Sequence, residues 1–551
     1  MMRSISPHML PVGEPNPPNE KHSVSVSLPT WESVAAWGRR EQWLLDSMHT
    51  CYPRLNRDRF GMHPSVHKLM DAVCARLRTP KDLSCLIFPS ADAAARCTAR
   101  LSAEHPNETC HTVKFQPHQP VDEEVLRWAT FFVVLFPQAC VSTAMHFWKV
   151  FGDGIAGRHA EHCLRALPSM GSYAKDTVFE TSAPCRDHST WDLQWVNSAA
   201  AEKESIRSLI ARLVSSDQPG YRRVSSHDVF LYPKGMCAIA AVARALVPHS
   251  VELSEAVIYG WPYAETPLCV KESDYKRSTL LSAGSKQELD ELESSLAAGR
   301  RIQVLFCEVP SNPQLRTPDL PRIHALAAQY NFIVAVDDTL GTFVNIDVLP
   351  YVDVIMTSLT KIFSGMCNVM GGSVVVNPQS SHYTTIYSAL TALYEDTYFP
   401  LEAMIMAQNA SDFEERVQQC SANALTIANL LAKHSSVAQL YYPSLVPSRQ
   451  FYDHVRRKDG GYGYLLSIVF RKPETAIRFY DVLDICKGPS VGTNFSLAIP
   501  YSLLAHFREQ DWAESEGGID RHMVRISVGL EKEEDLTARI QDALTAATTD
   551  Y

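Results

Sequence analysis

The chain has 551 residues, of which 46% are hydrophobic and 20% are charged, and its formal net charge is -10. At roughly 100–200 residues per domain, this length predicts three or four domains. The charge balance provides no basic surface for phosphates, so we expect no nucleic-acid partner. Apolar runs stay far below the roughly 20 residues that cross a bilayer, so we also expect no membrane span.

Cysteine usage and the first residues bear on location. The 14 cysteines include no C-x-x-C pair and no zinc-ligand pattern, which predicts reduced thiols and no bound metal. Residues 1–21 contain no apolar core of the length that a secretory signal needs. We therefore expect a cytoplasmic protein.

The first 220 residues are irregular in pattern. Residues 1–22 carry five prolines among polar residues, which predicts a flexible tail. Residues 23–220 mix helical and strand-like stretches, with buried strands expected at 86–88 and 131–136. The sequence leaves the role of this N-terminal extension open.

From residue 221 to 395 short apolar runs alternate with amphipathic segments. This alternation is typical of a three-layer α/β domain with a largely parallel sheet, in which ligands bind beyond the carboxyl ends of the strands. Strands are expected at 229–232, 303–309, 332–336, 352–356 and 373–376. Residues 396–551, which open with a long helical stretch, predict a smaller C-terminal α+β domain.

An acid and a base each follow an expected strand of the α/β domain. Asp337 ends one strand, and a buried carboxylate there needs a partner such as a protonated ring nitrogen. Lys361 follows the next strand, in the segment Ser358-Leu359-Thr360-Lys361. Its amine can form an imine with an aldehyde while the neighbouring hydroxyls hold a phosphate. Taken alone, Asp337 could equally be an ordinary acid in a loop, and Lys361 could equally be a solvated lysine.

Three further motifs supply other kinds of contact. Gly235 and Met236 follow a strand and open a helix, whose first N–H groups can bind phosphate. Asn312 lies between two prolines that restrict its loop. Arg525 lies in an alternating strand, and its planar guanidinium suits a carboxylate. Each motif taken alone has an equally good ordinary explanation. Gly235 and Met236 could form a plain turn, Asn312 could lie in a rigid loop, and Arg525 could form a surface salt bridge.

The order of these motifs carries more information than any single motif. Together they could supply the main contacts of pyridoxal 5′-phosphate (PLP) and an amino acid. The order therefore predicts a PLP enzyme that acts on a small amino acid and binds the cofactor through Lys361. Along the chain the residues are Gly235, Tyr259, Asn312, Asp337, Lys361 and Arg525.

Residues 228–545 resemble the Cys/Met-metabolism family of PLP enzymes, of the cystathionine γ-synthase type. The N-terminal extension and residues 486–507 resemble the long fungal branch of that family. The resemblance implies a PLP-binding large domain of fold type I, similar to aspartate aminotransferase, followed by the smaller domain. The matching segments are LYPKGMCAI (231–239), IYG (258–260), EVPSNP (308–313), VDDT (336–339), SLTKIFSG (358–365), NVMGG (368–372) and VRISVGLE (524–531).

The resemblance implies a role for each matched residue. Lys361 would be the Schiff-base lysine and proton shuttle, and Asp337 would hold the pyridine nitrogen. Tyr259 would stack on the ring and help to move protons. The phosphate would be held by Gly235, Met236, Ser358 and Thr360, the phenolic oxygen by Asn312, and the substrate carboxylate by Ser490 and Arg525.

The chain departs from the family pattern in several places. Lys234 stands where the family has serine before Gly-Met, and Asp338 stands where it has asparagine. The family also contributes a Tyr-x-Arg pair from a neighbouring subunit to the phosphate. Tyr52 and Arg54 match that pair but lie far upstream, whereas Arg158 is a rival that lacks the tyrosine. The sequence leaves both arginines open.

The reaction implied by the resemblance is γ-replacement on an activated homoserine such as O-acetyl-L-homoserine. The nucleophile would be a thiol (cysteine, which gives cystathionine) or a carbon nucleophile of specialised metabolism. Two alternatives are a lyase of the same fold and a catalytically inactive paralogue that serves as a binding subunit. The family also implies a homodimer or homotetramer.

Overall fold

The computed structural model of the chain describes residues 8–47, 61–117, 123–174, 194–248 and 255–549. Within these ranges the strands form a four-stranded, a seven-stranded and a five-stranded sheet. None of the helices in these ranges is long and apolar enough to cross a membrane.

The four-stranded sheet belongs to the N-terminal part of the chain, which we call the N-terminal unit (residues 8–174). Its strands are antiparallel in the order β1-β3-β2-β4. The strands expected at 86–88 and 131–136 are confirmed as parts of β1 and β3. The elements are α1 (Trp31–Arg39), α2 (Gln42–Ser47), α3 (Pro64–Leu77), β1 (Leu83–Phe88), α4 (Ala91–Glu104), β2 (His111–Pro117), α5 (Glu123–Ala129), β3 (Phe131–Pro137), α6 (Val141–Phe151), α7 (Gly157–Ala166) and β4 (Met170–Ala174).

The seven-stranded sheet forms the predicted α/β core. Its order is β5-β11-β10-β9-β8-β6-β7, and β11 runs in the direction opposite to that of the other six strands. All five expected strands are confirmed. The elements are α8 (Gln194–Val214), β5 (Val229–Tyr232), α9 (Gly235–Ala245), β6 (Glu255–Tyr259), α10 (Thr266–Lys271), β7 (Arg277–Leu281), α11 (Lys286–Ala297), β8 (Val304–Glu308), α12 (Leu320–Tyr330), β9 (Ile333–Asp337), α13 (Thr342–Asn345), β10 (Val354–Thr357), β11 (Gly372–Val376) and α14 (Tyr383–Leu393).

Both faces of this sheet are buried. Side chains of successive residues point to opposite faces, and the residues on each face belong to an apolar core. Val334 and Val336 pack with α8, α11 and α12 on one face. Ile333 and Ala335 belong to a core on the other face that continues into the N-terminal unit. The N-terminal unit is therefore packed onto the seven-stranded sheet through a shared apolar core.

The five-stranded sheet, in the order β12-β13-β16-β15-β14, forms the predicted smaller α+β part. The long helical stretch expected at 400–433 is interrupted by a short 3₁₀ turn at 410–412. The elements are α15 (Pro400–Asn409), α16 (Phe413–Ala432), β12 (Val437–Tyr441), α17 (Arg449–Val455), β13 (Leu465–Phe470), α18 (Pro473–Val482), β14 (Cys486–Lys487), β15 (Leu497–Pro500), α19 (Tyr501–Ala505), α20 (Gln510–Gly517), β16 (Val524–Ser527) and α21 (Glu533–Thr548).

The segment expected to be a flexible tail is partly described, from residue 8 onwards, and this part packs along β14. The side-chain amide of Asn16 and the backbone N–H of Leu28 both donate to the carbonyl of Lys487, at 3.0 and 3.2 Å. Uncovered strand edges present unpaired polar groups, which a covering segment can satisfy. Residue 16 of the expected tail and residue 28 beyond it therefore contact β14, and the flexibility of residues 1–22 stays a prediction.

Arg416 of α16 is buried, and it ties the C-terminal part to the loop that follows Lys361. Its guanidinium donates to the carbonyls of Ile362, Phe363 and Asn409 at 3.1, 3.0 and 2.7 Å. A buried carbonyl that loses its donor costs about 1–3 kcal/mol. This arginine thus holds the backbone that carries Lys361.

We predict that Arg416→Met lowers the free energy of unfolding by about 3–5 kcal/mol, because three buried carbonyls lose their donor. The thermal midpoint, measured by circular dichroism, should fall clearly. Arg212→Met is the control, since Arg212 forms an exposed pair with Glu414 and exposed pairs contribute at most about 1 kcal/mol. Equal midpoints for the two variants would contradict the prediction.

Candidate active site

A cavity of about 240 Å³ opens beyond the carboxyl ends of β8, β9 and β10. We call it the cofactor cavity. Parallel strands bring their carboxyl ends to one edge of the sheet, so residues far apart in sequence meet there. Seven of the residues predicted from the sequence line it: Gly235, Met236, Asn312, Asp337, Ser358, Thr360 and Lys361.

Lys361 lines the cofactor cavity. Burial lowers the pKa of its amine to about 8, and the positive charge of Arg525 adds to the shift. An ordinary lysine has a pKa near 10.4. A larger fraction of Lys361 is therefore neutral near pH 7, and the neutral amine is the form that attacks an aldehyde.

Asp337 lies at the end of β9, opposite Glu308 at the end of β8. The backbone N–H of Thr339 donates to its Oδ1 at 2.8 Å. Burial raises the pKa of Asp337, and burial together with the charge of Asp337 raises the pKa of Glu308 well above its usual range. Two adjacent buried carboxylates favour a cation between them, and a protonated pyridine nitrogen is such a cation.

The start of α9 forms the opposite end of the cofactor cavity. A Cβ atom on Gly235 would lie 2.8 Å from Cβ and Oγ of Ser358, so glycine is needed for this close approach. The hydroxyl of Thr360 accepts the backbone N–H of Gly371 at 3.1 Å. A helix N-terminus with two hydroxyls beside it matches what a phosphate group requires.

Lys234 ties this end of the cavity to the N-terminal unit. Its amine donates to the carbonyls of Gly152 and Gly154 at 2.6 and 2.9 Å. The same amine lies 5.4 Å from the ring centre of Trp148. The lysine that departs from the family pattern therefore connects two parts of the chain.

Arg525 lies on β16 and reaches the site through Asn312. Its Nη1 donates to Asn312 Oδ1 at 3.0 Å, and its Nη2 donates to the carbonyl of Pro489 at 3.2 Å. The guanidinium also lies 5.1 Å from the ring centre of Tyr501. The contact uses the oxygen of Asn312 and leaves its NH₂ group to donate into the cavity. Ser490, the other predicted carboxylate ligand, is buried beside Val491, which lines the cavity.

Other predicted residues are placed differently. The hydroxyl of Tyr259 donates to the carbonyl of Ser285 at 2.9 Å, and its side chain does not line the cofactor cavity. Arg158 does not line it either, and pairs with Glu402 at 3.0 Å. Tyr52 and Arg54 lie outside the described residues.

The extra acid Asp338 does not point into the cofactor cavity. Its carboxylate accepts a hydrogen bond from the hydroxyl of Thr357 at 2.6 Å. Burial raises the pKa of this carboxyl to about 8. We infer that the carboxyl of Asp338 is mostly protonated, and therefore neutral, below about pH 8, so that it adds little charge beside the cofactor.

One cluster contains residue types that bind metals, although no metal is expected from the sequence. It consists of His22, His63 and Glu161, whose ligand atoms lie within 4.8 Å of one another. The amine of Lys21 pairs with Glu161 at 2.5 Å, and His63 Nδ1 accepts the N–H of Ser65 at 3.1 Å. Glu161 and His63 therefore already have hydrogen-bonding or ionic partners within the protein, and their proximity gives no argument for a metal.

Several residues of the cavity wall were missed by sequence reasoning. Tyr263 donates its backbone N–H to the carboxylate of Glu308, and both residues line the cavity. The aromatic pair Trp261 and Tyr263 directly after β6 was the available signal for Tyr263. Trp148 and Lys149 come from α6 of the N-terminal unit, and nothing in their local sequence marks them as site residues.

Comparison with known proteins agrees with this geometry. Residues 224–545 match the family model described as Cys/Met metabolism PLP-dependent enzyme. Residues 65–156 match the model described as fungal trans-sulfuration enzyme, N-terminal domain. The first match spans more than half of the chain. The chain belongs to the Cys/Met metabolism family of PLP-dependent enzymes.

Relatives of this family member match along almost its whole length. The cystathionine gamma-synthase-like protein ankD of Aspergillus thermomutatus is 50% identical, over 97% of this chain and 94% of its own. The cystathionine gamma-synthase of Neurospora crassa is 34% identical, over 97% of this chain and 98% of its own. Among solved structures, cystathionine gamma-lyase from yeast gives a TM-score of 0.55 at 22% identity, over 67% of this chain and 91% of its own.

These matches confirm several expectations from the sequence. The protein is a PLP-dependent enzyme of the cystathionine γ-synthase-like group, and its cofactor is PLP. Its fold is that of the PLP-dependent cystathionine γ-synthase and lyase enzymes, consistent with fold type I. The roles given to individual residues stay predictions that rest on the geometry described above.

We predict that the pH dependence of cofactor loading follows Lys361. Below pH 8 the amine is mostly protonated and cannot attack the aldehyde. The rate at which apoprotein gains visible PLP absorbance should therefore rise between pH 7 and 9 and then level off, with a midpoint near 8. Nα-acetyl-lysine is the control, because its rate should still rise above pH 9. A protein midpoint near 10 would contradict the argument from burial.

Proposed function

We propose that this enzyme catalyses γ-replacement on an activated homoserine such as O-acetyl-L-homoserine. The observation that carries the proposal is the convergence of Lys361, Asp337 and Asn312 on one cavity, with Arg525 hydrogen-bonded to Asn312 from outside its lining. The 50% and 34% identical relatives, both named for cystathionine γ-synthase, favour γ-replacement over other reactions of the family. The nucleophile is a thiol such as cysteine or a carbon nucleophile of specialised metabolism.

PLP, when bound, supplies an electron sink that stabilises negative charge at the substrate carbons. Lys361 takes the proton from Cα and afterwards moves a proton at Cβ, a role for which a lowered pKa suits it. Asp337 keeps the ring nitrogen protonated. Arg525 binds the substrate carboxylate, and its contact with Asn312 fixes the orientation of both side chains.

Tyr263, rather than Tyr259, fits the role of the aromatic residue beside the cofactor ring. Tyr263 lines the cofactor cavity, and burial raises the pKa of its hydroxyl well above the usual range. Tyr259 belongs to the apolar core on the other face of the sheet. We therefore propose Tyr263 as the stacking residue.

We predict that Tyr263→Leu weakens PLP binding by about tenfold, because an aromatic contact contributes about 0.5–1.5 kcal/mol beyond its burial. Tyr259→Leu is the matched control and should change the PLP dissociation constant by less than about threefold. Titration of each apoprotein with PLP, followed by absorbance, measures both values. If Tyr259→Leu weakened PLP binding more than Tyr263→Leu did, the stacking role would belong to Tyr259.

We predict that O-acetyl-L-homoserine and cysteine together give cystathionine, with little 2-oxobutyrate from the donor alone. Release of ammonia and 2-oxobutyrate without an acceptor would instead favour a lyase. Lys361→Ala should abolish turnover and the visible absorbance of bound PLP. If PLP-saturated wild type showed no such absorbance, the inactive-paralogue alternative would replace the enzyme proposal.

The remaining sequence predictions stay proposals. They are the four segments with boundaries at 22, 220 and 395, the homodimeric or homotetrameric state, the cytoplasmic location and the choice between Arg54 and Arg158. The Arg158–Glu402 pair favours Arg54 as the arginine that a neighbouring subunit contributes, because the charge of Arg158 is already neutralised.

A further inference from the structure

A second, larger cavity adjoins the cofactor cavity. Its volume is about 630 Å³, and its walls come from α1, α6, residues 261–268 and residues 504–512. We call it the outer chamber. The two cavities share two wall residues, Lys149 and Glu265. The outer chamber is therefore adjacent to the cavity in which the reaction is proposed to occur.

Lys149 and Glu265 form an ion pair on the boundary between the cavities. The amine of Lys149 lies 2.6 Å from Oε1 of Glu265, and their side chains are 17% and 4% exposed. Lys149 belongs to the N-terminal unit, and Glu265 lies two residues after Tyr263. This ion pair is the part of the wall that the two cavities have in common.

Aromatic rings form much of the wall of the outer chamber. The ring centres of Trp261 and Trp512 lie 4.9 Å apart with an angle of 39° between the planes. Trp512 is 42% exposed, so it is available to a ligand. Trp37, Phe507, Leu268, Leu280 and Leu504 also line the chamber, together with charged residues that include Arg40, Arg508 and Glu509. Trp37 and Trp261 are themselves only 2% and 3% exposed, so Trp512 offers the most accessible ring. Such walls favour a planar aromatic ligand, which can pack in offset or edge-to-face arrangements.

The volumes also bear on the size of the ligand. The outer chamber, at about 630 Å³, is more than twice as large as the cofactor cavity, at about 240 Å³. It falls within the range of roughly 300–1,000 Å³ that is typical of small-molecule sites. Cysteine has no ring and would leave most of the aromatic wall without a contact.

We propose that the outer chamber binds the acceptor substrate and that this acceptor is a planar aromatic nucleophile. This inference rests on the proposed function, which supplies the activated homoserine. The nucleophilic atom forms a bond to Cγ and loses a proton, while the Cγ–O bond breaks and acetate leaves with its electron pair. The proton and acetate together balance as acetic acid, and no oxidant is needed.

Indole serves as the probe of the outer chamber. Saturation-transfer NMR with the PLP-loaded enzyme should detect indole at millimolar concentration. Leu268→Trp places a large ring in the chamber and should weaken the indole signal by at least about tenfold. Leu393→Trp is the matched control, because Leu393 is an exposed leucine, at 55%, on α14, and it should leave indole binding unchanged. Thermal midpoints and PLP absorbance establish that both variants fold and bind PLP.

Two results would overturn the binding site. One is that wild type gives no indole signal, and the other is that Leu268→Trp and Leu393→Trp bind indole equally well. Inhibition kinetics then test the acceptor role. Indole should compete with cysteine for transfer and should not compete with O-acetyl-L-homoserine. Competition with the donor would place indole in the cofactor cavity and overturn the proposal.

The proposed function can fail separately from the outer chamber. If wild type bound indole as expected but released no acetate from O-acetyl-L-homoserine, γ-replacement and with it the acceptor role would be wrong, while the aromatic site would stand. If acetate release were normal and indole did not bind, the proposed function would stand and the chamber assignment would be wrong.

Discussion

Two buried carboxylates at the ends of adjacent parallel strands dominate the chemistry of this site. Glu308 and Asp337 are paired in the register of β8 and β9, and burial raises the pKa of both. Placing two acids together in a low-dielectric environment is costly unless a cation joins them. A cationic ring nitrogen beside Asp337, as proposed above, would relieve this cost.

Burial has the opposite effect on the pKa of Lys361, because it disfavours the charged amine and so leaves a larger fraction of it neutral near pH 7. Arg416 holds the loop after Lys361, because its guanidinium donates to the backbone carbonyls of Ile362 and Phe363. The donors that fix the loop and the groups that perform the chemistry thus come from different parts of the chain.

The N-terminal unit belongs to the active site as well as to the fold. Lys234, which lines the cofactor cavity beside Gly235, donates hydrogen bonds to two carbonyls of this unit, and Lys149 of the unit forms the ion pair with Glu265. Its apolar core continues onto one face of the catalytic sheet. These contacts explain why the N-terminal extension and the catalytic part fold as neighbours, and they place an outer chamber where the two meet.

The sequence by itself determined the α/β alternation and the residues at the ends of its strands, including Asp337, Asn312 and Lys361. It could do so because buried parallel strands are short apolar runs, and parallel strands bring their carboxyl ends to one edge. Only the tertiary structure showed that Tyr263, and not Tyr259, lines the cofactor cavity, because Tyr259 on β6 packs into an apolar core and the loop after β6 brings Tyr263 to the cavity. Only the tertiary structure placed Lys149 at the site, because its position depends on packing between elements more than 100 residues apart, and such packing has no local pattern in the sequence.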